Sequence, residues 1–228
     1  MKLLESLRNH GERTFVPLLR PKDLEKIIDC IILEHPNISF FQEYTFKTYK
    51  DLVFCVEFHY VLDFEKDRAV RLEMESQARK IAAYAKSVSD SKFEQAKAVY
   101  EFFSKHVEYD YEYESHKYAH TPAGPLIYGK GICKAATLAY KMILDTDELN
   151  IPVICVQGTH AGVPHAWALI YLEGKWYPLD PTVAICHDAE NTISYDGFCM
   201  LPYPKEKYEA CSPFPCPKPK KGGFYGIL

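Results

Sequence analysis

The chain has 228 residues, of which 47% are hydrophobic and 25% charged, as in an ordinary soluble globular protein with one sizeable core. Its formal charge of −4 excludes a general attraction to nucleic acid or to anionic membranes. No apolar run is long enough to span a bilayer, and the first residues lack the apolar stretch of a secretory signal. We therefore expect a cytoplasmic protein, or a secreted one if the sequence is trimmed at its start.

The first third of the chain contains patterns of both helix and strand. Residues 1–20 have no clear period and are read as a frayed helix. Pro21 opens a helix with apolar residues at helical spacing, and Pro36 ends it. From Leu52 the pattern changes to period two, which predicts a strand with one apolar face, formed by Leu52, Phe54, Val56, Phe58, Tyr60 and Leu62. Phe41–Tyr49 is its predicted hairpin partner.

The middle of the chain predicts two helices followed by a loop. Residues 64–88 carry apolar residues on one side, and Ser91 with Glu94 forms a capping box that starts the next helix. The polar run from Tyr109 onward predicts an exit into a loop that continues to Cys133.

The last part of the chain predicts one helix, three strands and a tail. A helical pattern follows Cys133, with Ala136, Ala139, Tyr140 and Ile143 predicted to face inward. Strands are predicted at 152–158, 166–172 and 175–180. Residues 203–228 are rich in Pro, Lys and Cys and are read as an irregular tail.

Cys133 lies where a nucleophilic thiol would be activated. It follows Gly129-Lys130-Gly131-Ile132 and begins a helical pattern. Unpaired amides and the positive dipole end of a helix favour a thiolate there, and the same amides can stabilise an oxyanion. The glycines allow a sharp turn and close approach of a substrate. The bland alternative is a buried structural thiol.

His165 and Asp180 are predicted to lie on one face of a β-hairpin. If Glu173 and Gly174 form a two-residue turn, Leu172 pairs with Lys175, and His165 and Asp180 become diagonal neighbours roughly 7–8 Å apart. A three-residue turn would place them on opposite faces.

Two alternatives compete with this assignment of base and acid. His160, five residues before His165, is the other candidate base, but it lacks the parity relation to Asp180. Asp180 could simply start a turn before Pro181, and this role is compatible with a catalytic one.

Taken together, Gly-Lys-Gly-Ile-Cys, His-Ala-Trp and Gly-Lys-Trp-Tyr-Pro-Leu-Asp-Pro-Thr resemble the transglutaminase-like superfamily of papain-fold thiol enzymes, in its bacterial single-domain form. The resemblance implies an α+β fold in which a nucleophile helix packs on an antiparallel sheet, with an N-terminal helix-plus-hairpin region. It implies Cys133 as nucleophile, His165 as base and Asp180 as orienting acid, with no cofactor. For the family's oxyanion side-chain donor, Tyr109 is the candidate. Gly131 and Trp167 are candidates for the substrate groove.

The expected function is thiol-dependent acyl transfer on a protein or peptide amide, by a peptidase, an amidase or a cross-linking transglutaminase. The alternative is a non-catalytic peptide- or glycan-binding module on the same fold. The expected organisation is an N-terminal region 1–90, a catalytic core 91–202 and the tail 203–228.

The eight cysteines contain no Cys-x-x-Cys pair. The spacing of Cys186, His187, Cys199, Cys211 and Cys216 matches no common zinc module, so a zinc-stabilised structural protein is the weakest hypothesis and we predict no metal site. Cys211 and Cys216 could pair in an oxidising compartment.

Overall fold

The structure, a computed structural model, describes residues 2–38, 41–112, 118–186, 192–200 and 207–210, without the side chains of residues 41 and 42. The protein is of the α+β class, with helices and mainly antiparallel sheets. The chain divides into two compact units, Met1–Leu72 and Glu73–Leu228. The domain boundaries expected near residues 90 and 202 stay predictions. Among the described helices, none has both the length and the apolar character needed to cross a membrane.

The first unit contains a small sheet. Its elements are α1 (Lys2–Arg8), β1 (Arg13–Leu19), α2 (Pro21–Glu34), a 3₁₀ turn (Pro36–Ile38), β2 (Phe41–Tyr49), β3 (Leu52–Tyr60) and the start of α3 (Phe64–Val88). The strands are antiparallel in the order β1-β3-β2. The predicted hairpin is confirmed: Tyr49 pairs with Leu52 across Lys50 and Asp51, whose φ angles of 48° and 63° suit a tight hairpin turn.

The prediction of a helix over residues 1–20 is wrong beyond Arg8, because Arg13–Leu19 is strand β1. This strand lies at the sheet edge and contains Pro17, which a central strand would not tolerate. Phe15 and Leu18 are 62% and 56% exposed, so the apolar residues do not mark one buried face. The local pattern therefore gave no strand signal.

The predicted apolar face of β3 changes side partway along the strand. Val53 and Cys55 are buried in the first half, whereas Val56 and Phe58 are buried in the second. The pairing with β2 shifts at this point, since Lys47 pairs with Cys55 but the next residue, Thr48, pairs with Val53. A β-bulge adds one residue and so reverses which parity faces inward.

The second unit contains the predicted site. Its elements after α3 are α4 (Lys92–His106), β4 (Glu108–Tyr109), a π-helical turn (Gly124–Tyr128), β5 (Lys130–Gly131), α5 (Cys133–Leu144), β6 (Val153–His160), β7 (Val163–Leu172), β8 (Lys175–Leu179), α6 (Pro181–Ile185) and β9 (Tyr208–Ala210). The start of α4 is confirmed, because the side chain of Ser91 accepts a hydrogen bond from the amide of Glu94. The stretch before Cys133 is not all loop, since it contains the π-helical turn and the short parallel pair of β4 with β5.

A four-stranded antiparallel sheet, in the order β8-β7-β6-β9, forms the centre of this unit. Helix α5 packs on it: the hydroxyl of Thr137 donates to the carbonyl of Ala166, and Lys141 donates to the carbonyl of Val153. The predicted inward face of α5 is confirmed. Its members, all fully buried, are Ala136, Ala139, Tyr140 and Ile143.

Part of the segment expected to be irregular is ordered into β9, which pairs with β6. Cys211 and Cys216, the predicted disulfide partners, lie outside the described residues, as does His187. In the described part of the chain, no three residues among His, Cys, Asp and Glu form a group that could hold a metal ion.

Candidate active site

Cys133 is the first residue of α5. Ile132, the residue that precedes the helix, has an extended conformation and no side-chain cap, so the first amides of α5 are not used by a capping side chain. The thiol of Cys133 forms backbone hydrogen bonds at Lys134 and Ala166. The sharp approach to the helix passes through Gly129, whose φ of +66° favours glycine.

The predicted hairpin register is confirmed. Leu172 pairs with Lys175 across Glu173 and Gly174, and this ladder continues to Ala168 opposite Leu179. Both turn residues have positive φ, 49° and 83°, as expected of a two-residue turn. Because the parity is preserved along the ladder, His165 and Asp180 are directed to the same side of the sheet.

His165 and Asp180 are in direct contact. Nε2 of His165 lies 2.7 Å from Oδ2 of Asp180, and the other side of the ring makes a hydrogen bond with the thiol of Cys133. Since Nε2 is used by the carboxylate, Nδ1 is the ring atom left for the sulfur. The structure thus brings together all three residues of the predicted triad.

The carboxylate of Asp180 is buried and held by three donors. Its Oδ1 accepts the amide of Thr182 at 2.9 Å, which caps α6, and its Oδ2 accepts the hydroxyl of Tyr208 at 2.8 Å as well as His165. Asp180 therefore caps the helix that begins at Pro181 and also contacts the histidine, so the two roles are compatible.

The charges of the site are set by these contacts. Burial raises the pKa of the Cys133 thiol, but the hydrogen bond and charge of His165 outweigh it and leave this pKa below its ordinary value. Burial lowers the pKa of His165, but Asp180 and Cys133 raise it to about 9. Burial raises the pKa of Asp180, and His165, Tyr208 and Thr182 together bring it below its ordinary value. Both shifts favour the thiolate–imidazolium pair over the neutral thiol and imidazole, beside an ionised Asp180.

A cavity of about 710 Å³ opens at the thiol. Its lining residues are Tyr109, Ile132, Cys133, Lys134, Gln157, Gly158, His160, Ala161, Val163, Pro164, His165 and Ala166. Apolar groups dominate this wall, which suits a buried acyl group better than a highly charged one.

His160 lines this cavity beside the base. Its ring centroid is 5.5 Å from that of His165 and 4.4 Å from that of Tyr208. Burial and the positive charge of His165 lower the pKa of His160, so its ring is neutral at pH 7. The contact with Asp180 is made by His165, in agreement with the parity argument.

The three secondary candidates lie in different places. Tyr109 lines the cavity and pairs, at the backbone, with Gly131, which places its strand beside the segment that leads to Cys133. Gly131 is buried behind the wall, where a Cβ would lie 2.9 Å from Pro125 and 3.0 Å from Ala135. Close packing, rather than contact with a substrate, therefore explains this glycine.

Trp167 is fully buried in the sheet and is not among the residues that line the cavity. Its indole stacks behind His165, with ring centroids 6.2 Å apart. It supports the base from the core side, which corrects its assignment to a substrate groove.

The residue that sequence reasoning missed is Tyr208. It comes from the segment read as an irregular tail, and no local pattern relates a tyrosine there to Asp180, 28 residues earlier. A Tyr-Glu-Ala strand of three residues is too short to show a period.

Comparison with known proteins found a family model that matches part of the chain. Residues 79–181 match the model of the Transglutaminase-like superfamily, so this part of the chain is a transglutaminase-like core. Members of the superfamily are usually enzymes of thiol-dependent acyl transfer or proteolysis. The search of curated proteins gave no match.

Three solved structures are similar to the chain at a low level, each with 16% sequence identity. A TGase crystal structure has a TM-score of 0.42, with 82% of this chain and 55% of that chain covered. The periplasmic domain of TgpA from Pseudomonas aeruginosa, bound to ethylmercury, has a TM-score of 0.42, with 60% and 58% covered. A proposed cysteine protease from Cytophaga hutchinsonii has a TM-score of 0.40, with 61% of each covered. The chain thus spans about 55–61% of the length of these proteins.

Proposed function

We propose that the protein catalyses thiol-dependent acyl transfer from a protein or peptide amide, with Cys133 as nucleophile, His165 as acid and base, and Asp180 as the group that orients His165. The observation that carries this proposal is the continuous chain of contacts from thiol to imidazole to buried carboxylate. A structural thiol would need neither a lowered pKa nor a histidine held by a second residue.

The reaction has two steps. The thiolate of Cys133 attacks the amide carbonyl, and the oxyanion lies near the first amides of α5. The imidazolium of His165 gives its proton to the leaving amine, which leaves a thioester on Cys133. The neutral imidazole then takes a proton from the second nucleophile, which attacks the thioester and releases the thiol.

Water is the second nucleophile that the cavity favours. When the second nucleophile arrives, His165 is neutral; of the described residues that line the cavity, Lys134 is cationic and none is acidic. A protonated lysine from a second protein would meet like charge there without a carboxylate to receive it. Hydrolysis of a peptide or side-chain amide is therefore favoured over cross-linking.

The first experiment measures the rate of iodoacetamide alkylation at individual cysteines against pH, by peptide mass spectrometry. Cys30 is a control within the same chain, because it is also partly exposed but burial raises the pKa of its thiol. Cys133 should react well below pH 7, whereas Cys30 should require a pH above about 8.5.

The His165→Ala variant completes this test. Without the imidazole, burial dominates and the reactivity of Cys133 should move to alkaline pH. If Cys133 reacts no faster than Cys30 and ignores the loss of His165, the catalytic proposal fails and the peptide- or glycan-binding module becomes the better explanation. If the pair is present, incubation with peptide amides, with and without an added primary amine, separates hydrolysis from transamidation by product mass.

A further inference from the structure

Tyr208 connects the C-terminal segment of the chain to the candidate triad. Its hydroxyl donates a hydrogen bond of 2.8 Å to Oδ2 of Asp180, the same oxygen that contacts His165. We propose that Tyr208 is a positioning residue of the site, and that strand β9 thereby controls the reactivity of Cys133. This inference rests on the proposed function of the triad.

The carboxylate of Asp180 needs this hydroxyl for an electrostatic reason. Asp180 is only 1% exposed, and an ionised carboxylate away from water is costly unless donors replace its hydration. The amide of Thr182 donates to Oδ1. The hydroxyl of Tyr208 is a neutral donor to Oδ2, which also contacts His165. Loss of the hydroxyl would raise the pKa of Asp180 and leave its Oδ2 edge free to turn away from the ring.

The position of the hydroxyl is itself tightly defined. The ring of Tyr208 meets Trp167 edge to face, with centroids 5.2 Å apart and planes at 70°. Tyr208 is 5% exposed, and its ring also packs on His160 of β6, with centroids 4.4 Å apart. A phenol held on two sides by rings directs its hydroxyl at a single acceptor.

Strand β9 is seated on β6 by a close backbone approach. Its three residues pair with Gly158, Thr159 and His160, and the amide of Ala161 donates to the carbonyl of Lys207 at 2.7 Å. A Cβ on Gly158 would lie 2.0 Å from the carbonyl oxygen of Glu209, so only glycine permits this distance. The fold thus brings a strand from beyond residue 206 to the acid of the triad.

A purely structural tyrosine makes a different prediction from a positioning one. If Tyr208 only fills the core, phenylalanine should preserve the chemistry of Cys133, because the ring contacts remain. If Tyr208 positions Asp180, removal of its hydroxyl oxygen should change the pH dependence of Cys133 alkylation, because the effect passes through Asp180 and His165.

The experiment compares Tyr208→Phe with Tyr171→Phe in the full chain. Tyr171 is the matched control, because it lies on the same sheet but is 40% exposed and packs against Trp176. Iodoacetamide alkylation of Cys133 is followed from pH 4 to 9, with thermal unfolding of each variant as a check of folding. We expect Tyr208→Phe to slow alkylation at pH 6 about tenfold and to move the acid side of the profile upward, as for loss of a hydrogen bond to a charged group. Tyr171→Phe should match the wild type.

Three outcomes are distinguishable. Slower alkylation of Cys133 in Tyr208→Phe, with a wild-type rate in Tyr171→Phe, supports the positioning role. An unchanged or faster profile in Tyr208→Phe, with a clear loss in His165→Ala, overturns the positioning role and leaves the acyl-transfer proposal intact. If the wild-type profile is that of an ordinary thiol and is insensitive to His165→Ala, the proposed function fails, and the positioning role fails with it.

Discussion

The described residues include two buried His–Asp pairs, one in each unit, and the two pairs differ in the third group that contacts them. In the first unit His10 contacts Asp67, and in the second His165 contacts Asp180. Burial does not separate them, because the side chains of the two histidines are 9% and 11% exposed and the carboxylates 1% and 2%. A buried His–Asp pair is therefore not by itself a catalytic signal.

The third group on each pair is what separates them. Arg71 also contacts Asp67, one turn along α3, and donates to the carbonyls of Leu7 and Arg8. The ring of His10 stacks on Tyr60, whose hydroxyl donates to the carbonyls of Ser6 and Gly11. All of these contacts tie the turn after α1 to neighbouring elements of the first unit. The cluster has the composition of a structural clamp.

The second pair is completed by the thiol of Cys133 and a cavity. The ring of His165 has Asp180 on one side and the thiol of Cys133 on the other, and both sulfur and ring line an open space. Both oxygens of Asp180 have donors, whereas Oδ1 of Asp67 has no hydrogen-bond partner among the described residues. A fully satisfied carboxylate holds one orientation, which is what a base in catalysis requires.

The sharpest way to break this comparison is to neutralise each carboxylate in turn. Asp180→Asn should lower the rate on an amide substrate about 10³-fold, because an asparagine cannot support the imidazolium and can select the wrong tautomer. Asp67→Asn should leave the alkylation profile of Cys133 unchanged. Steady-state rates and the pH profile of alkylation measure both. A comparable loss of thiol reactivity in Asp67→Asn would show that the two pairs are not separate in function.

The second test removes the carboxylate of the first pair entirely. Asp67→Ala should lower the free energy of unfolding by about 3 kcal/mol, because Arg71 and His10 lose their buried partner. Urea unfolding followed by circular dichroism measures it. Lys66→Ala is the control on the same stretch of chain, since its ion pair with Asp63 is exposed and should contribute little. Equal effects of the two substitutions would refute the clamp.

The smallest expected effect concerns the tyrosine of the clamp. Tyr60→Phe should lower the free energy of unfolding by about 1 kcal/mol, through loss of the hydroxyl bonds to Ser6 and Gly11. It should leave the pH profile of Cys133 unaltered, in contrast to Tyr208→Phe. Urea unfolding and the pH profile of Cys133 alkylation measure the two effects. A shift of the Cys133 profile in Tyr60→Phe would contradict the conclusion that the His10–Asp67 cluster is structural and separate from the candidate site.

The amino-acid sequence by itself determined most of the elements and the relation between the three candidate residues. Helical and period-two patterns are local, so the helices after Pro21, Ser91 and Cys133 and the hairpin of β2 with β3 could be predicted closely. The placement of His165 and Asp180 on one face needed only the length of the turn at Glu173 and Gly174. Parity is an exact property of a strand, and this is why a sequence argument could reach the site.

Tertiary structure alone decided the features that depend on contacts between distant segments. The bulge in β3 reversed which of its residues face the core, whereas a regular alternation would have kept one face buried throughout. The segment Arg13–Leu19 is a strand because it pairs with β3, a contact that its own sequence pattern does not indicate. Gly131 and Trp167 are buried behind the cavity wall by the packing of α5, the π-helical turn and the sheet. The spacing of residues along the sequence does not predict this packing. Tyr208 reaches Asp180 through a three-residue strand whose own sequence carries no periodic signal, since its pairing depends on the backbone of β6 and on the room that Gly158 leaves.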